Sequence, residues 1–487
     1  MTNKKIRTRI APSPTGFVHI GNLRTALYNY LFTKQQGGDF VLRIEDTDQS
    51  RKIEGAMEKI FEVLEWSGLS WNEGPLKGGE YGPYIQSQRL DLYKKYARQL
   101  VDSGHAYYCF CTPKDLEQMR EEQTKNHQAP HYAGPCREAD IARAAEKIKT
   151  GSPFVIRLKV PKNELVTFDD IVYGKISFNS KEIDDQVLLK SDGFPTYHLA
   201  VVVDDHLMKM THIMRGEDWL PSTPKHILLY EAFGWEKPVY CHLPNILGED
   251  KKKLSKRTAA VSVEDFKKAG YLPAALINYL ALLGWNPGTE EELFLIDELI
   301  KKFDLKKIHK AGAIFDLKKL DNINGQYIRN LQTNKLVELC LPYLKDEYGD
   351  KLNVYSEEYI NKVIKLEQER LKKLSDIAEN ARLFFSSDLK YDSQVLVWKK
   401  SNQAGAKKVL DLIFSFLKNI NEWNKENLEA KTMAFIGEQN LTNGETLWPL
   451  RVALSGQQNS PGPFEIADVL GQEQSLHRIA EALKKLE

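Results

Sequence analysis

The chain has 487 residues, of which 42% are hydrophobic and 28% are charged. At about 150 residues per domain, this length predicts about three domains, and the composition excludes a mainly disordered chain. The longest apolar stretch, residues 272–285, is interrupted by Asn278 and is shorter than the ~20 residues of a membrane span. We therefore expect no association with a membrane.

Cysteines and charges narrow the class of protein further. Lys4 and Lys5 are followed by no apolar run, so the sequence predicts no secretory signal. Five cysteines in a chain of this length do not form a disulfide framework, and a reducing cytoplasm is expected. The net charge of +1 excludes a bulk polycation, so any contact with nucleic acid must come from local basic patches.

The N-terminal segment alternates between strand and helix patterns. Residues 6–10 alternate apolar and polar side chains and predict a strand, and a loop rich in Pro, Gly and Ser follows at 11–16. Apolar residues then recur at helical spacing over 23–31, and a second alternating run ends near Glu45. This β-loop-α-β order is typical of a doubly wound parallel sheet.

The rest of the chain divides into three stretches with different residue patterns. Residues 109–190 contain short alternating runs, and a turn at Asp192-Gly193 follows them, which predicts a mixed α+β insertion. The parallel-sheet pattern returns at 201–203, 213–214 and 239–243, with a helix beginning at Thr223-Pro224. After about residue 330 the pattern is mostly helical.

A histidine and a glycine stand at the start of the first predicted helix, in His19-Ile20-Gly21-Asn22. A helix N-terminus presents free N–H groups and a positive dipole end, and a histidine there can hydrogen-bond a phosphate oxygen. Gly21 lets a flat adenine ring approach the backbone. Taken alone, the tetrapeptide is more commonly a capping turn.

A basic segment follows the last predicted strand, Lys253-Leu254-Ser255-Lys256-Arg257. Two lysines three residues apart on a loop can stabilise a triphosphate as its charge shifts in a transition state. Taken alone, such a charge run is more commonly a solvated loop.

Together, in this order and about 230 residues apart, the two segments resemble the two signature motifs of class I aminoacyl-tRNA synthetases. Their surroundings are similar to the bacterial glutamyl-tRNA synthetases, densely over residues 6–330. The segments that carry the similarity are RIAPSPTG (9–16), RTAL (24–27), RIEDTD (43–48), YHLA (197–200), VDDH (203–206), RGEDW (215–219) and PLRVAL (449–454).

The resemblance implies ATP-dependent attachment of glutamate to tRNA(Glu), and it implies a glutamate pocket. Two carboxylates and one ammonium require guanidinium groups and a carboxylate. By resemblance, Arg9 and Arg215 hold the carboxylates and Glu45 takes the amino group; each stands at the end of a predicted strand, where parallel sheets bind ligands. Taken singly, each is more commonly a surface ion pair. The resemblance adds Ala11, Ser13 and Tyr197 to this pocket.

The resemblance also implies an ATP site and its chemistry. The α-carboxylate of glutamate attacks the α-phosphate of ATP, pyrophosphate leaves, and the terminal ribose hydroxyl of tRNA then attacks the glutamyl-adenylate. The expected catalytic groups are His19 and Lys256, supported by Lys253, with Mg²⁺ bridging the phosphates. The implied ATP-binding residues are His19, Gly21, Asn22, Lys253, Ser255 and Lys256.

Three cysteines lie within 28 residues, Cys109, Cys111 and Cys136. Such a set suits a tetrahedral zinc site, and buried free thiols are the alternative. A zinc ion here would be structural, because the segment lies in the insertion and not at the carboxyl ends of the sheet strands.

The fourth zinc ligand is open from the sequence. Tyr132 fits one form of the family's metal-site pattern, whereas another form has a histidine at the position that Glu138 occupies here. His127 and His131 are further candidates.

We predict an α/β protein with a Rossmann-like catalytic domain, an inserted α+β domain, a stem-contact region and an all-helical anticodon-binding region, acting as a cytoplasmic monomer. The predicted boundaries are 1–108 and 195–247 for the halves of the catalytic domain, 109–194 for the acceptor-binding insertion, 248–330 for the stem-contact region and 331–487 for the anticodon-binding region.

Several alternatives share part of these features. Glutaminyl-tRNA synthetase belongs to the same class but has a β-barrel anticodon region, which the helical pattern after residue 330 disfavours. A truncated paralogue that glutamylates a modified tRNA base lacks the anticodon domains. A catalytically dead tRNA-binding protein is disfavoured by intact His19, Gly21, Lys253 and Lys256. Charging of tRNA(Gln) in addition to tRNA(Glu) stays open.

Overall fold

A computed structural model describes residues 4–51, 53–128, 131–139, 141–254, 262–386, 388–399 and 401–487, with the backbone alone at 141 and 142. The chain divides into two compact units. The first comprises Met1–Lys267 and Pro273–Leu317, and the second comprises Lys268–Leu272 and Lys318–Glu487.

The first unit contains short strands that form several small sheets. The strands are β1 (Arg7–Ile10), β2 (Asp39–Leu42), β3 (Ala106–Cys109), β4 (Val155–Leu158), β5 (Leu165–Asp170), β6 (Gly174–Asn179), β7 (Val187–Leu189), β8 (His212–Gly216), β9 (Val239–Leu243), β10 (Ile246–Leu247) and β11 (Ala313–Ile314).

Helices flank these strands and make up most of the second unit. Those of the first unit are α1 (Ile20–Gln35), α2 (Ala56–Trp66), α3 (Leu90–Asp102), α4 (Pro113–Lys125), α5 (Ile141–Lys149), α6 (Tyr197–Leu207), α7 (Thr223–Ala232), α8 (Val263–Lys268), α9 (Pro273–Leu282) and α10 (Ile296–Lys302). Those of the second are α11 (Leu317–Arg329), α12 (Thr333–Tyr348), α13 (Glu357–Glu367), α14 (Asp376–Asn380), α15 (Arg382–Phe385), α16 (Gln403–Leu417), α17 (Lys425–Glu438), α18 (Asn443–Ser455) and α19 (Pro463–Lys485).

The predicted β-loop-α-β unit is confirmed. β1 and β2 pair in parallel, from Arg7 opposite Asp39 to Ile10 opposite Leu42. α1 connects them and buries Leu23, Leu27 and Leu31 against the sheet. Because both strands end at the same edge, the loops that follow them face a common pocket.

The second half of the sheet places β8 and β9 in parallel and adds β5, also parallel, beside β9. β8 lies alongside β1, where the Thr211 amide donates to the Arg7 carbonyl oxygen at 3.0 Å. The β5–β6 hairpin therefore extends this sheet, although its residues fall in the segment predicted as an insertion.

Residues 201–203 are a correction to the sequence analysis. They were predicted to lie in the sheet, but they lie in the middle of α6. Every residue from Leu199 to Asp205 is buried, so this helix shows no polar face. A helix that is apolar on most sides has the pattern of a buried strand, and three valines in succession strengthen that pattern.

The remaining strands of the predicted insertion form a separate antiparallel sheet in the order β3-β4-β7. α4 begins after Thr112, whose hydroxyl oxygen accepts from the Asp115 amide while the Asp115 carboxylate accepts from the Thr112 amide. This reciprocal cap satisfies two amides that a helix start leaves unpaired. The predicted α+β character of this segment is confirmed.

The second unit is helical, as the sequence predicted. Leu336, Cys340 and Leu344 of α12 are buried against α13, which contributes Val363 and Ile364. Within the described part of the chain, none of the helices has both the length and the apolar character to cross a membrane.

Candidate functional site

Arg9 lies at the carboxyl end of β1 with its side chain buried. Its guanidinium donates to both carboxylate oxygens of Asp205 on α6, from Nε at 3.0 Å and from Nη2 at 3.2 Å. This two-pronged contact fixes the orientation of the guanidinium plane.

Glu45 follows β2 and is paired with a second buried arginine. Arg43 donates to Glu45 Oε1 at 3.0 Å and to Asp205 Oδ1 at 2.8 Å. Asp205 therefore joins Arg9 and Arg43, and Arg43 joins Asp205 to Glu45.

Burial and these arginines act in opposite directions on the two acids. Burial raises the pKa of Glu45, and the charges of Arg43 and Arg9 offset that effect only in part. Burial would also raise the pKa of Asp205, but Arg9 and Arg43 outweigh it and hold that pKa below its ordinary value. Asp205 therefore stays ionised. The protonation state of Glu45 is more sensitive to its surroundings than that of Asp205.

Arg215, on β8, is buried and differs from the other two arginines. Among the described residues, no carboxylate accepts a hydrogen bond from it. Its partners are neutral oxygen and nitrogen atoms: Nε donates to His242 Nε2 (3.1 Å), Nη1 to the Tyr197 hydroxyl (3.1 Å) and His226 Nδ1 (3.2 Å), and Nη2 to Thr223 Oγ1 (2.8 Å) and the Trp219 carbonyl oxygen (3.5 Å).

Tyr197, at the start of α6, connects these groups into one pocket. The charges of Arg215, Glu45 and Arg9 all act on its buried hydroxyl. Its ring packs on Trp219, with centroids 4.1 Å apart, and Trp219 is 40% exposed. The structure thus brings four of the predicted glutamate-binding residues together behind an aromatic wall.

The other two predicted pocket residues, Ala11 and Ser13, lie in the loop after β1. The Pro12 carbonyl oxygen accepts from the Glu45 amide at 3.0 Å, which holds this loop against the end of β2. Ser13 is exposed and lines a cavity of about 60 Å³ together with Asn22 of α1. A residue predicted for glutamate and one predicted for ATP therefore share a cavity.

His19 caps the N-terminus of α1. Its Nδ1 accepts from the Gly21 amide at 2.9 Å, so in the neutral ring Nε2 carries the proton. A Cβ at position 21 would lie 3.1 Å from that same Nδ1. The small residue at 21 thus permits the imidazole to cap the helix.

Backbone pairing holds the described residues on either side of 255–261, and the residue that follows this gap pairs with the start of α1. Leu254 pairs with Ile246 through a 2.9 Å backbone bond, and Ser262 pairs with His19. The Lys253 ammonium forms an ion pair with Asp218, which lies just after β8. Ser255 and Lys256, predicted for ATP, lie outside the described residues.

The three cysteines of the predicted metal site converge. Their sulfur atoms all lie within 4.8 Å of one another, and Cys111 Sγ is 3.7 Å from Cys136 Sγ. Tetrahedral zinc with Zn–S bonds of about 2.3 Å separates its sulfur ligands by about 3.8 Å. The Tyr132 hydroxyl lies 3.1 Å from Cys109 Sγ and 3.6 Å from Cys111 Sγ. These three thiols fit a zinc ion, with Tyr132 beside the fourth position.

Two of the alternative fourth ligands contact other side chains. Glu138 forms ion pairs with Arg137 and Lys159. His131 lies near Gln123, with its Nδ1 at 3.4 Å from the amide nitrogen of that side chain. Of the candidates, Tyr132 is the one that contacts the sulfur atoms among the described residues.

Several residues around Arg215 were not identified from the sequence. His242 is opposite Arg215 in the register of β8 and β9, and Thr223 and His226 lie one turn apart on α7. A histidine within an otherwise apolar predicted strand was the available signal for His242. The sequence offered no such signal for His226, because the fold alone brings α7 to β8.

Residues 5–322 match the family described as tRNA synthetases class I (E and Q), catalytic domain, and residues 335–483 match a family described as an anticodon binding domain. The chain belongs to the class I synthetase family. The earlier resemblance is thereby confirmed.

Named relatives of this family match along the whole chain. A glutamate–tRNA ligase of Dehalococcoides mccartyi is 46% identical, covering 100% of this chain and 99% of its own length, and one of Clostridioides difficile is 44% identical over 98% of both. The crystal structure of a glutamate tRNA ligase from Elizabethkingia meningosepticum, in complex with its amino acid, has a TM-score of 0.90 at 36% identity and covers 99% of this chain and 100% of its own.

The buried network makes a testable prediction for stability. Asp205→Asn removes the carboxylate shared by Arg9 and Arg43, so it should cost about 3–5 kcal/mol and lower the thermal unfolding midpoint. The matched control is Asp218→Asn, which removes an exposed ion pair and should change the midpoint little. An equal effect of both substitutions would contradict the assigned role of Asp205.

The pH dependence of this contribution follows from the lowered pKa of Asp205. A carboxylate whose pKa is depressed on folding contributes stability above its unfolded-state value of 3.8. That contribution is lost as pH falls towards the folded-state value. Wild type and Asp205→Asn should therefore differ most at neutral pH and converge in acid.

Proposed function

We propose that this enzyme is a glutamate–tRNA ligase, which activates L-glutamate with ATP and transfers it to the 3′-terminal adenosine of tRNA(Glu). The proposal rests on the hydrogen-bonding environment of Arg215. This residue is a buried cation whose described hydrogen-bond partners are all neutral, and it faces a pocket that also contains a carboxylate, Glu45. A dicarboxylic amino acid supplies both complementary charges. The shared name of the relatives supports the same assignment.

In the pocket, Arg215 and Arg9 hold the two carboxylates of glutamate and Glu45 takes its ammonium group. The Tyr197 hydroxyl donates to a carboxylate oxygen, since it already accepts from Arg215. Ala11 and Ser13 form the near wall. The pairing of Arg9 with Asp205 presents its guanidinium in a fixed plane, which lowers the entropic cost of binding.

The ATP site lies between the start of α1 and the basic segment. His19, whose Nε2 carries the ring proton, donates to a phosphate oxygen at the start of α1, Gly21 and Asn22 lie against the adenosine, and Lys253, Ser255 and Lys256 contact the leaving pyrophosphate. Class I synthetases use ATP with Mg²⁺ in general. The cation, when bound, neutralises phosphate charge.

The chemistry consists of two displacements. An α-carboxylate oxygen of glutamate attacks the α-phosphorus, whose bond to the bridging oxygen breaks and releases pyrophosphate. The terminal ribose hydroxyl of tRNA then attacks the carbonyl carbon of the adenylate, and AMP leaves. The side chains position the reactants and stabilise charge, and no covalent intermediate with the enzyme is needed.

The predicted division of labour follows the boundaries given above. We propose that the insertion, 109–194, holds the acceptor end of tRNA, that 248–330 contacts the stem, and that 331–487 reads the anticodon. All groups assigned to glutamate and ATP precede residue 257. A cytoplasmic location and a monomeric state complete the proposal.

The direct test is aminoacylation with ATP, labelled glutamate and separately purified tRNA(Glu) and tRNA(Gln). We expect charging of tRNA(Glu) with glutamate, and the tRNA(Gln) reaction shows whether the enzyme discriminates. Glutamine in place of glutamate is the matched control for the glutaminyl alternative. No transfer of glutamate to either tRNA would refute the proposed function.

The basic segment predicts a rate effect. Lys256→Ala should lower the single-turnover rate of adenylate formation by on the order of 10²- to 10³-fold while weakening ATP binding much less, and Lys253→Ala should have a smaller effect. Lys252→Ala, in the same turn but outside the motif, is the control. A Lys256→Ala rate equal to that of wild type would exclude this lysine from the mechanism.

We also propose that Cys109, Cys111, Cys136 and Tyr132 hold a structural zinc ion. A zinc ion at the end of β3 would stabilise the sheet β3-β4-β7 and the loop that contains Tyr132, because it ties together segments far apart in the chain. It takes no part in the reaction.

Metal analysis tests this site. Protein purified without chelator should carry about one zinc per chain, and the double variant Cys109→Ser/Cys111→Ser should carry none. Cys340→Ser, in the helical unit, is the control and should retain the metal. Wild-type protein without metal would favour free thiols, and full retention by Tyr132→Phe would remove Tyr132 from the ligand set.

A further inference from the structure

Three histidines surround Arg215 behind the pocket, and the mechanism above does not use them. His226 and His242 both accept from its guanidinium, and His198 Nδ1 lies 3.1 Å from His226 Nε2. His226 and His242 are almost fully buried. Asp170 Oδ2, at the end of β5, lies 2.7 Å from His242 Nδ1.

The contacts determine where each ring carries its proton. A guanidinium can only donate, so His242 Nε2 and His226 Nδ1 must both be unprotonated acceptors. The His242 proton is then on Nδ1, from which it is donated to Asp170, and the His226 proton is on Nε2, from which it is donated to His198. Each ring is therefore a neutral imidazole in one defined tautomer.

Burial and the nearby positive charges also favour the neutral state of these imidazole rings. Burial lowers the pKa of His226 well below its ordinary value, and the positive charge of Arg215 lowers it further. Burial likewise lowers the pKa of His242, with Asp170 opposing. Burial, with Lys225 and Arg215 adding to it, lowers the pKa of His198 to about 3.

Asp170 is the acid in this set of contacts, and it does not bond Arg215 directly. Asp170 is separated from the guanidinium by the whole imidazole ring of His242, and its oxygens accept instead from backbone amides, including that of Val172 at 2.9 Å. By contrast, Arg9 and Arg43 each bond a carboxylate directly. The fold thus buries Arg215 with good hydrogen bonds but without a directly bonded anion.

We propose that His226 and His242 are specificity-determining positioning residues, which hold Arg215 with neutral acceptors so that its charge binds the side-chain carboxylate of glutamate and disfavours glutamine. This rests on the proposed function. A carboxylate at either position would bond Arg215 directly and neutralise it before substrate arrives. Arg215 would then attract the glutamate carboxylate more weakly, and the pocket would lose its reason to reject a neutral amide.

Two isosteric pairs of variants separate charge from shape. Arg215 bonds Nδ1 of His226, whose position the Oδ1 atom of Asp or Asn reproduces, and it bonds Nε2 of His242, whose position the Oε1 atom of Glu or Gln reproduces. The measurement is kcat/KM for glutamate and for glutamine in aminoacylation of tRNA(Glu) by the full-length enzyme.

For His226→Asp we expect the ratio of glutamate to glutamine efficiency to fall on the order of 10²-fold, mainly through a higher KM for glutamate. His226→Asn should keep most of the wild-type ratio even if both efficiencies decrease. The pair His242→Glu and His242→Gln should behave in the same way. Equal losses for both substrates in the Asp and Asn variants would show a merely structural role and overturn the proposal.

The wild-type protein offers a second test, for which the variants serve only to assign the signals. Nitrogen NMR of histidine-labelled enzyme, with signals assigned by the Asn and Gln variants, should show neutral rings at neutral pH. His226 should be protonated on Nε2 and His242 on Nδ1. An imidazolium at either position, or the opposite tautomer, would overturn the proposal. Wild-type enzyme that does not charge tRNA with glutamate would instead refute the proposed function itself.

Discussion

The structure of the pocket depends on burying guanidinium groups at the carboxyl edge of one parallel sheet. Each buried charge costs several kcal/mol unless it is paired and hydrogen-bonded. The Asp205 carboxylate accepts hydrogen bonds from Arg9 and Arg43. The Asp204 carboxylate accepts one from Arg89 at 2.7 Å. The need to pair these guanidinium groups explains why α6 carries two adjacent acids. A helix in the core can present both carboxylates to the strand ends.

Arg215 is stabilised differently, and function follows from that difference. Strand β9 and helices α6 and α7 surround it with two imidazoles, a threonine and a phenol. These acceptors satisfy its N–H groups without cancelling its charge. In a buried site of low dielectric, an uncancelled charge interacts strongly with a substrate anion, and this is the physical basis we propose for the choice of glutamate.

The glutamate and phosphate sides of the site are mechanically connected. The segment after β8 contributes Trp219 to the pocket wall and Asp218 to the ion pair with Lys253. The pairing of Ser262 with His19 returns the chain to the start of α1. Groups assigned to the amino acid and to ATP therefore share short segments, as a direct reaction between the two substrates requires.

The parts of the fold with a clear period were predictable. Strand β1, helix α1 and strand β2 follow from alternation and helical spacing, and the helical second unit follows from its pattern after residue 330. Residues 201–203 were assigned to the wrong element type, because a helix buried on most sides lacks the polar face that distinguishes it from a buried strand.

The candidate site was predicted where residues match family motifs or cluster in sequence. Arg9, Glu45 and Arg215 were assigned by resemblance, with which their place at the ends of predicted strands agrees, and Cys109, Cys111 and Cys136 were identified from their spacing. His226 and His242 were missed because tertiary packing alone brings them to Arg215. No local pattern records that a histidine in α7 accepts from an arginine in β8.

The most direct test of this account is Arg215→Gln, measured for both stability and substrate choice. No described carboxylate bonds Arg215, so its removal should leave no unpaired acid, and the variant should stay folded with a midpoint near that of wild type. Its kcat/KM for glutamate should fall by at least about 10²-fold, whereas that for glutamine should not fall. A folded variant that charges tRNA with glutamate at near wild-type efficiency would contradict the central claim.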